Sequence, residues 1–351
     1  MRTQTRFSYI YYCAALLLVV GYFIPLSLFA HEVYVLSPFE VQRGLETPAF
    51  SPLEVIVSNQ GKFLFWTLGA ILVVSLVFLL SVSHRLEKRF DPLLMRLKKY
   101  TPSVARATIG LSFLVAAYYQ AIFGPELPLS LVFGSFAPLA TIALIAIGML
   151  LVFDRYTRAA ALAALALFTV AAFEQGWYML TYTNYLGGIA VLIFLGTGMQ
   201  GHINDFIGKI GSTIAPYRFL ILRVTFGISL LYASLYAKFI HNYLAFQVAS
   251  MPLPGYEYSL AYYFGLDPQF LVVGAGIIEI VIALFFILGL EIRFTAIFLE
   301  FWLALSLWYF GESVWPHLIL IGIPIGLFLH GYDRYSIEGY FLKRGGREPV
   351  F

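Results

Sequence analysis

Charged side chains are scarce in this sequence. Asp, Glu, Lys and Arg make up 12% of its 351 residues, where a soluble domain carries roughly a quarter. Too few remain to cover a water-facing surface, which excludes an ordinary soluble globular protein. The net charge of +3 is too small for a nucleic-acid footprint, and no nucleic-acid partner is expected. Cysteine is nearly absent. Cys13 stands alone, so no disulfide, CxxC pair or thiolate metal cluster can form within the chain. The sequence also lacks a phosphate-cradling glycine loop, an HExxH helix and a nucleophile elbow. A protein-bound metal is not expected.

Apolar length is what the chain has instead: 60% of its residues are hydrophobic. Runs near bilayer-spanning length fall at about 8–30, 62–82, 104–123, 136–153, 157–173, 178–199, 217–240, 269–290, 294–310 and 315–331. The expected fold is all-α and integral to a membrane, with about ten transmembrane helices and lipid as solvent. The first run follows Arg2 and Arg6 and reads as a retained anchor, since a cleaved signal peptide has a shorter core. Alternating the spans from a cytoplasmic N-terminus puts only Arg43, Lys62 and Lys238, of 22 Lys and Arg, on the outer face. That partition obeys the positive-inside rule and predicts both termini in the cytoplasm. The segment His84–Tyr100 mixes basic residues with Leu86, Phe90, Leu93, Leu94 and Leu97, and predicts an interfacial helix on anionic lipid.

The chain after residue 100 contains itself twice. Arg106, Gly110, Ser112 and Tyr119 recur at the same spacing as Arg223, Gly227, Ser229 and Tyr236. Arg158 corresponds to Arg293, Glu174 and Trp177 to Glu312 and Trp315, and Asn184 to His317. Each copy holds four spans, so both enter from one side, which predicts parallel repeats related by an axis along the membrane normal. Three regions follow: an N-terminal helix pair with its basic segment (1–103), a degenerate four-helix repeat (104–215), and a second repeat with a cytoplasmic tail (216–351).

An ionisable residue inside a bilayer is costly and draws attention for that reason. Glu279 lies near the middle of the eighth span, where a carboxylate needs either a basic partner or a proton. Arg223, Gly227, Ser234 and Lys238 share one stripe of the seventh span, so either Arg223 or Lys238 is a possible partner. Glu312 and His317 bracket Trp315 at the outer start of the last span, and His241 follows Lys238. These residues could line an outward cavity under the aromatic loop 241–268, with His317 as a proton relay. A structural role, tying helices together, stays open for each. In the first copy Glu279 maps to Leu144, Lys238 to Ala121 and His317 to Asn184, so a site would belong to the second copy.

Three pieces of the second copy carry a family resemblance. They are the Arg223–Gly227 opening with Lys238 near the end of that helix, the helix Gly276-Ile-Ile-Glu279, and Leu288-Gly289-Leu-Glu-Ile-Arg293. In order and spacing these resemble the DoxX/DoxD-like four-helix membrane proteins over residues 217–331, with a degenerate echo at 104–199. The resemblance implies association with membrane redox systems, in prokaryotes at the plasma membrane, because one branch supplies the small subunit of thiosulfate:quinone oxidoreductase. It leaves a diffusible quinone open as cofactor, and redox proteins as partners. The expected role is an accessory or anchoring subunit without stand-alone enzyme activity. A transporter of ions or small molecules and a membrane-protein assembly factor are the alternatives.

Overall fold

The computed structural model describes residues 36, 38–62, parts of 66–94, and then 96–196, 202–252, 256–263, 265–310, 315–333 and 335–341. Among these residues the chain is helical, without strands. Four helical stretches among them are long and apolar enough to cross a membrane: Leu129–Val152, Thr157–Phe194, Ile207–Ile240 and Pro268–Leu288. Trp315–His330 is apolar but shorter. The anticipated span at 8–30, most of that at 62–82, and Glu312 lie outside the described residues. Outward-facing Leu139, Ile142, Ile145 and Met149 recur at helical spacing, a face that suits lipid and not water.

The helices are α1 (Pro38–Glu46), α2 (Pro52–Asn59), α3 (Thr101–Tyr118), α4 (Leu129–Phe133), α5 (Ala137–Val152), α6 (Thr157–Gln175) and α7 (Thr183–Leu195). There follow α8 (His202–Ile214), α9 (Arg218–Leu235), α10 (Asn242–Ser250), α11 (Leu260–Tyr263), α12 (Pro268–Leu288), α13 (Ile292–Phe310), α14 (Leu318–His330) and α15 (Ile337–Phe341). The boundaries of α12 follow from local chemistry. Asp267 Oδ1 accepts from the Gln269 N–H at 2.9 Å, Pro268 occupies the first turn, and Gly289 ends the helix with φ 70°. The 38-residue stretch from Thr157 is folded back on itself at Gly176, where φ is 56°. Arg158 Nε donates to the Ile193 carbonyl at 2.8 Å, so the start of α6 lies beside the end of α7.

Close approaches of small residues set the helix pairs. A Cβ on Gly110 of α3 would lie 3.0 Å from the Gly148 carbonyl oxygen and 2.9 Å from Val152 of α5. A Cβ on Gly227 of α9 would lie 2.8 Å from the Ala283 carbonyl oxygen and 2.6 Å from Ile287 of α12. Arg293 Nε donates to the Phe328 carbonyl at 3.1 Å, joining α13 to α14. Across the halves, Gly187 of α7 packs on Thr225 of α9, while Gly322 of α14 packs on Thr108 of α3. One core then runs through both halves, with Phe113, Leu144, Phe226 and Phe286 fully buried in it. Such backbone contact through small residues is how helices associate in lipid.

Several segments differ from their sequence reading. The anticipated span at 104–123 ends at Tyr118, because Gln120 and Phe123 take positive φ (54° and 65°) and Ala121 bridges to Pro128. Ile122, Phe123, Leu127 and Leu129 are buried, so residues 119–128 form a plug on the first bundle. The polar segment 31–61 contributes α1 and α2, which pack on α10 and α12. The link at 200–216 contains α8, which lies against α7. In the basic segment Phe90 and Leu93 are exposed, but Leu94 and Lys98 are buried. That segment therefore rests partly on protein.

Candidate functional site

Glu279 projects from α12 toward the end of α9, where the helix widens. The His241 N–H donates to the Tyr236 carbonyl at 2.8 Å, five residues back, so Tyr236–Ile240 forms a π turn. π turns inside helices are uncommon and recur at functional sites. Lys238 lies on this turn, buried, and its Nζ lies 3.0 Å from Glu279 Oε2. Trp302 of α13 donates its indole N–H to Glu279 Oε1 at 3.3 Å. Each carboxylate oxygen thus has a partner, one of them cationic. A single unpaired charge here would be strongly destabilising, whereas the pair is net neutral.

Small residues bring the two helices together at this depth. A Cβ on Gly276 would meet the Phe239 ring at 2.5 Å and Lys238 Cβ at 3.2 Å. Ser234 Oγ donates to the Gly276 carbonyl at 3.2 Å. Above the pair, α10 packs on the π turn and on α12. Asn242 clamps the N-terminal segment there: its Nδ2 donates to the Phe50 carbonyl at 2.8 Å, and its Oδ1 accepts from the Phe50 N–H at 3.1 Å. Gln247 donates to the Glu40 carbonyl, and Leu36, Leu244 and Val248 form a small satellite core. The cover is therefore built from α1, α2 and α10. The aromatic loop anticipated for this role supplies α10, while its Tyr256, Tyr258, Tyr262 and Tyr263 remain exposed. Burial pushes the His241 imidazole below its ordinary value of 6.5.

The other sequence candidates are placed elsewhere. Arg223 is fully buried and donates Nη1 to the Phe286 and Ile287 carbonyls at 2.6 and 2.7 Å. It caps the last turn of α12 and meets Asp333 at 3.5 Å. Of the two basic residues considered for Glu279, Lys238 is the ion-pair partner. His317 is buried in the turn entering α14, next to Trp315, whose ring stacks on Tyr119 at 5.2 Å.

Three carboxylates escaped the sequence reading. Glu300 lies in α13, and its Oε1 is buried without a hydrogen-bond partner among the described residues. The criterion that selected Glu279, one carboxylate in a long apolar run, would have found it. Asp333, the partner of Arg223, lies in the polar segment after α14. Glu126 lies in the plug, where Tyr178 donates to its Oε1 at 3.1 Å and Tyr182 donates to the same oxygen.

The family model DoxX matches residues 219–312, a segment that holds Lys238, Glu279, Glu300 and Trp302. The chain matches no curated protein and no solved structure. The apolar helices and the DoxX segment identify an integral membrane protein.

Proposed function

We propose that this is an accessory subunit of a membrane redox system. Its second bundle anchors partner proteins and holds a buried ion pair beneath an outer cover. The observation that carries this reading is the buried Lys238–Glu279 contact of 3.0 Å, tied to Trp302 inside the DoxX-matching segment. Because the two charges neutralise each other, removing either one leaves an uncompensated charge and disturbs the packing of α9 on α12. Electron chemistry is left to the partners.

The architecture proposed with this function has about ten spans and both ends of the sequence in the cytoplasm of a prokaryotic cell. Its two four-helix repeats are related by rotation about the membrane normal. Two observations support the rotation. Arg158 and Arg293 each donate to the carbonyl 35 residues ahead. The contacts between halves are reciprocal, Gly187 with Thr225 and Gly322 with Thr108. The orientation is supported by α1 packing on α10 and by the Phe50–Asn242 clamp, since the charge pattern assigns segments 31–61 and 241–268 to the same outer face.

Purification from native membranes under mild detergent tests the function. Proteins carrying redox cofactors are expected to copurify, and Glu279→Gln is expected to weaken their retention or alter the pH profile of the associated activity. Purification of the chain alone, with solute uptake in proteoliposomes that depends on Glu279, would instead make it a transporter.

A further inference from the structure

Glu300 is a carboxyl that the ion pair does not use. It is the ninth of the 19 residues of α13, and the residues on either side, Ala296–Leu299 and Phe301–Leu305, are apolar. At helical rise it lies about 12 Å along the axis from Ile292 and about 15 Å from Phe310. Its Oε1 is buried, and Glu300 has neither a hydrogen bond nor an ion pair among the described residues.

Ile297 and Ala304, one turn before and one turn after, are exposed, while Leu299 and Leu303 are buried. Glu300 therefore stands at the edge of the face that α13 turns to lipid. Arg293, seven residues earlier, lies within about 20° of it around the helix and bonds to the Phe328 carbonyl, so this edge is the one beside α14. Trp302, which holds Glu279, lies about 160° away around α13. The helices α12 and α14 pack on α13. Glu279 is the one ionisable residue of α12, and Lys238 and Trp302 engage it. His317 stands just before α14 and His330 at its last position, while α13 itself has Arg293 and Tyr309 near its ends. At the depth of Glu300 neither α12 nor α14 brings a cation.

We propose that Glu300 is a proton-binding site inside the membrane, held as the carboxylic acid at the lipid edge of α13. An ionised carboxylate in apolar surroundings costs far more than the neutral acid unless a counter-charge meets it. Glu279 has that counter-charge and Glu300 does not. The second half thus holds two carboxyls in different states. Glu279 is fixed as half of an ion pair, whereas Glu300 can bind or release one proton without breaking a contact. This assignment goes beyond the accessory role and does not depend on it.

The test treats the full chain, in phosphatidylcholine vesicles at neutral pH, with dicyclohexylcarbodiimide. This reagent dissolves in lipid and reacts with carboxylic acids and not with carboxylates. The proton of the acid passes to a carbodiimide nitrogen while the carboxyl oxygen adds to the central carbon. The adduct then rearranges to an N-acylurea that keeps every atom of the reagent. Peptide mass mapping is expected to find the added mass on Glu300 and not on Glu279. The adduct should be lost in Glu300→Gln and should decline in the parent as the pH is raised, because the acid form is then depleted. Mapping of the parent chain alone carries the test if Glu300→Gln does not fold. An unlabelled Glu300, or stronger labelling of Glu279, would overturn the site. Labelling of Glu300 in vesicles but not in native membranes would overturn its place at the lipid edge and assign it to a contact with a partner's helix.

Discussion

In the first half, Gly110 meets the Gly148 carbonyl and Arg158 bonds to the Ile193 carbonyl; in the second, Gly227 meets Ala283 and Arg293 bonds to Phe328. At the outer end the halves part. The first closes with the plug 119–128, where Glu126 is held by two phenols. The second extends into α10 and α11, and its first helix opens into a π turn that presents Lys238 to Glu279. On the proposed repeat, the position equivalent to Glu279 in the first half is Leu144, fully buried. Joints between helices tolerate little change, because a Cβ or a lost guanidinium there disturbs backbone packing. The second half has a close joint at its other end too, at Gly276, and the difference in chemistry is concentrated there.

The largest expected effect separates the two outer ends. Glu279→Gln leaves Lys238 buried without its counter-charge and should cost about 3–5 kcal/mol, read as lost thermal stability in detergent. Adding Lys238→Met should recover part of that loss. Glu126→Gln keeps an oxygen that accepts from Tyr178 and Tyr182, so it should cost less. Equal losses at Glu279 and Glu126 would remove the distinction between the halves.

A middle-sized effect sharpens the likeness. Arg158→Gln and Arg293→Gln each remove hydrogen bonds from a charged donor to carbonyls at the end of a helix. Each should cost roughly 1.5–3 kcal/mol, and the two values should agree within the error of the unfolding measurement. A loss at one position only would break the equivalence.

The smallest effect belongs to His241, which follows the π turn and so has a place only in the second half's outer end. Its lowered proton affinity means the unfolded chain takes the proton first as the pH falls below its ordinary 6.5. Stability should therefore decline as the pH falls from neutral through His241's ordinary 6.5, and His241→Asn should flatten that slope. An unchanged slope would place the acid sensitivity elsewhere.

The repeated joints were legible because they are short, spaced motifs: Arg106 to Ser112 recurs as Arg223 to Ser229, and Arg158 recurs as Arg293. Lys238 and Glu279 stood out because charge inside an apolar run is rare. Their pairing was not decidable, since Arg223 and Lys238 lie on one stripe and only packing depth separates them. The π turn has no signature in composition. Asp333 and Glu126 were invisible for another reason. Both lie in segments that look like exposed loops, and their burial comes from the chain folding back on a bundle, which periodicity does not encode. The cover over the ion pair joins Phe50 to Asn242 across 192 residues, a contact that no local pattern announces.

The proposed rotation rests on reciprocal contacts between the halves, and paired cysteines at the end that holds the ion pair test it most directly. Tyr119 stacks on Trp315 with ring centroids 5.2 Å apart, and Tyr178 meets Tyr236 at 5.2 Å. In a Cys13→Ser background, one variant carries Tyr119→Cys with Trp315→Cys and a second carries Tyr178→Cys with Tyr236→Cys. A short bifunctional thiol reagent is then applied to intact membranes. The reciprocal arrangement predicts efficient intramolecular cross-linking of both pairs. Cross-linking of one pair without the other would contradict it.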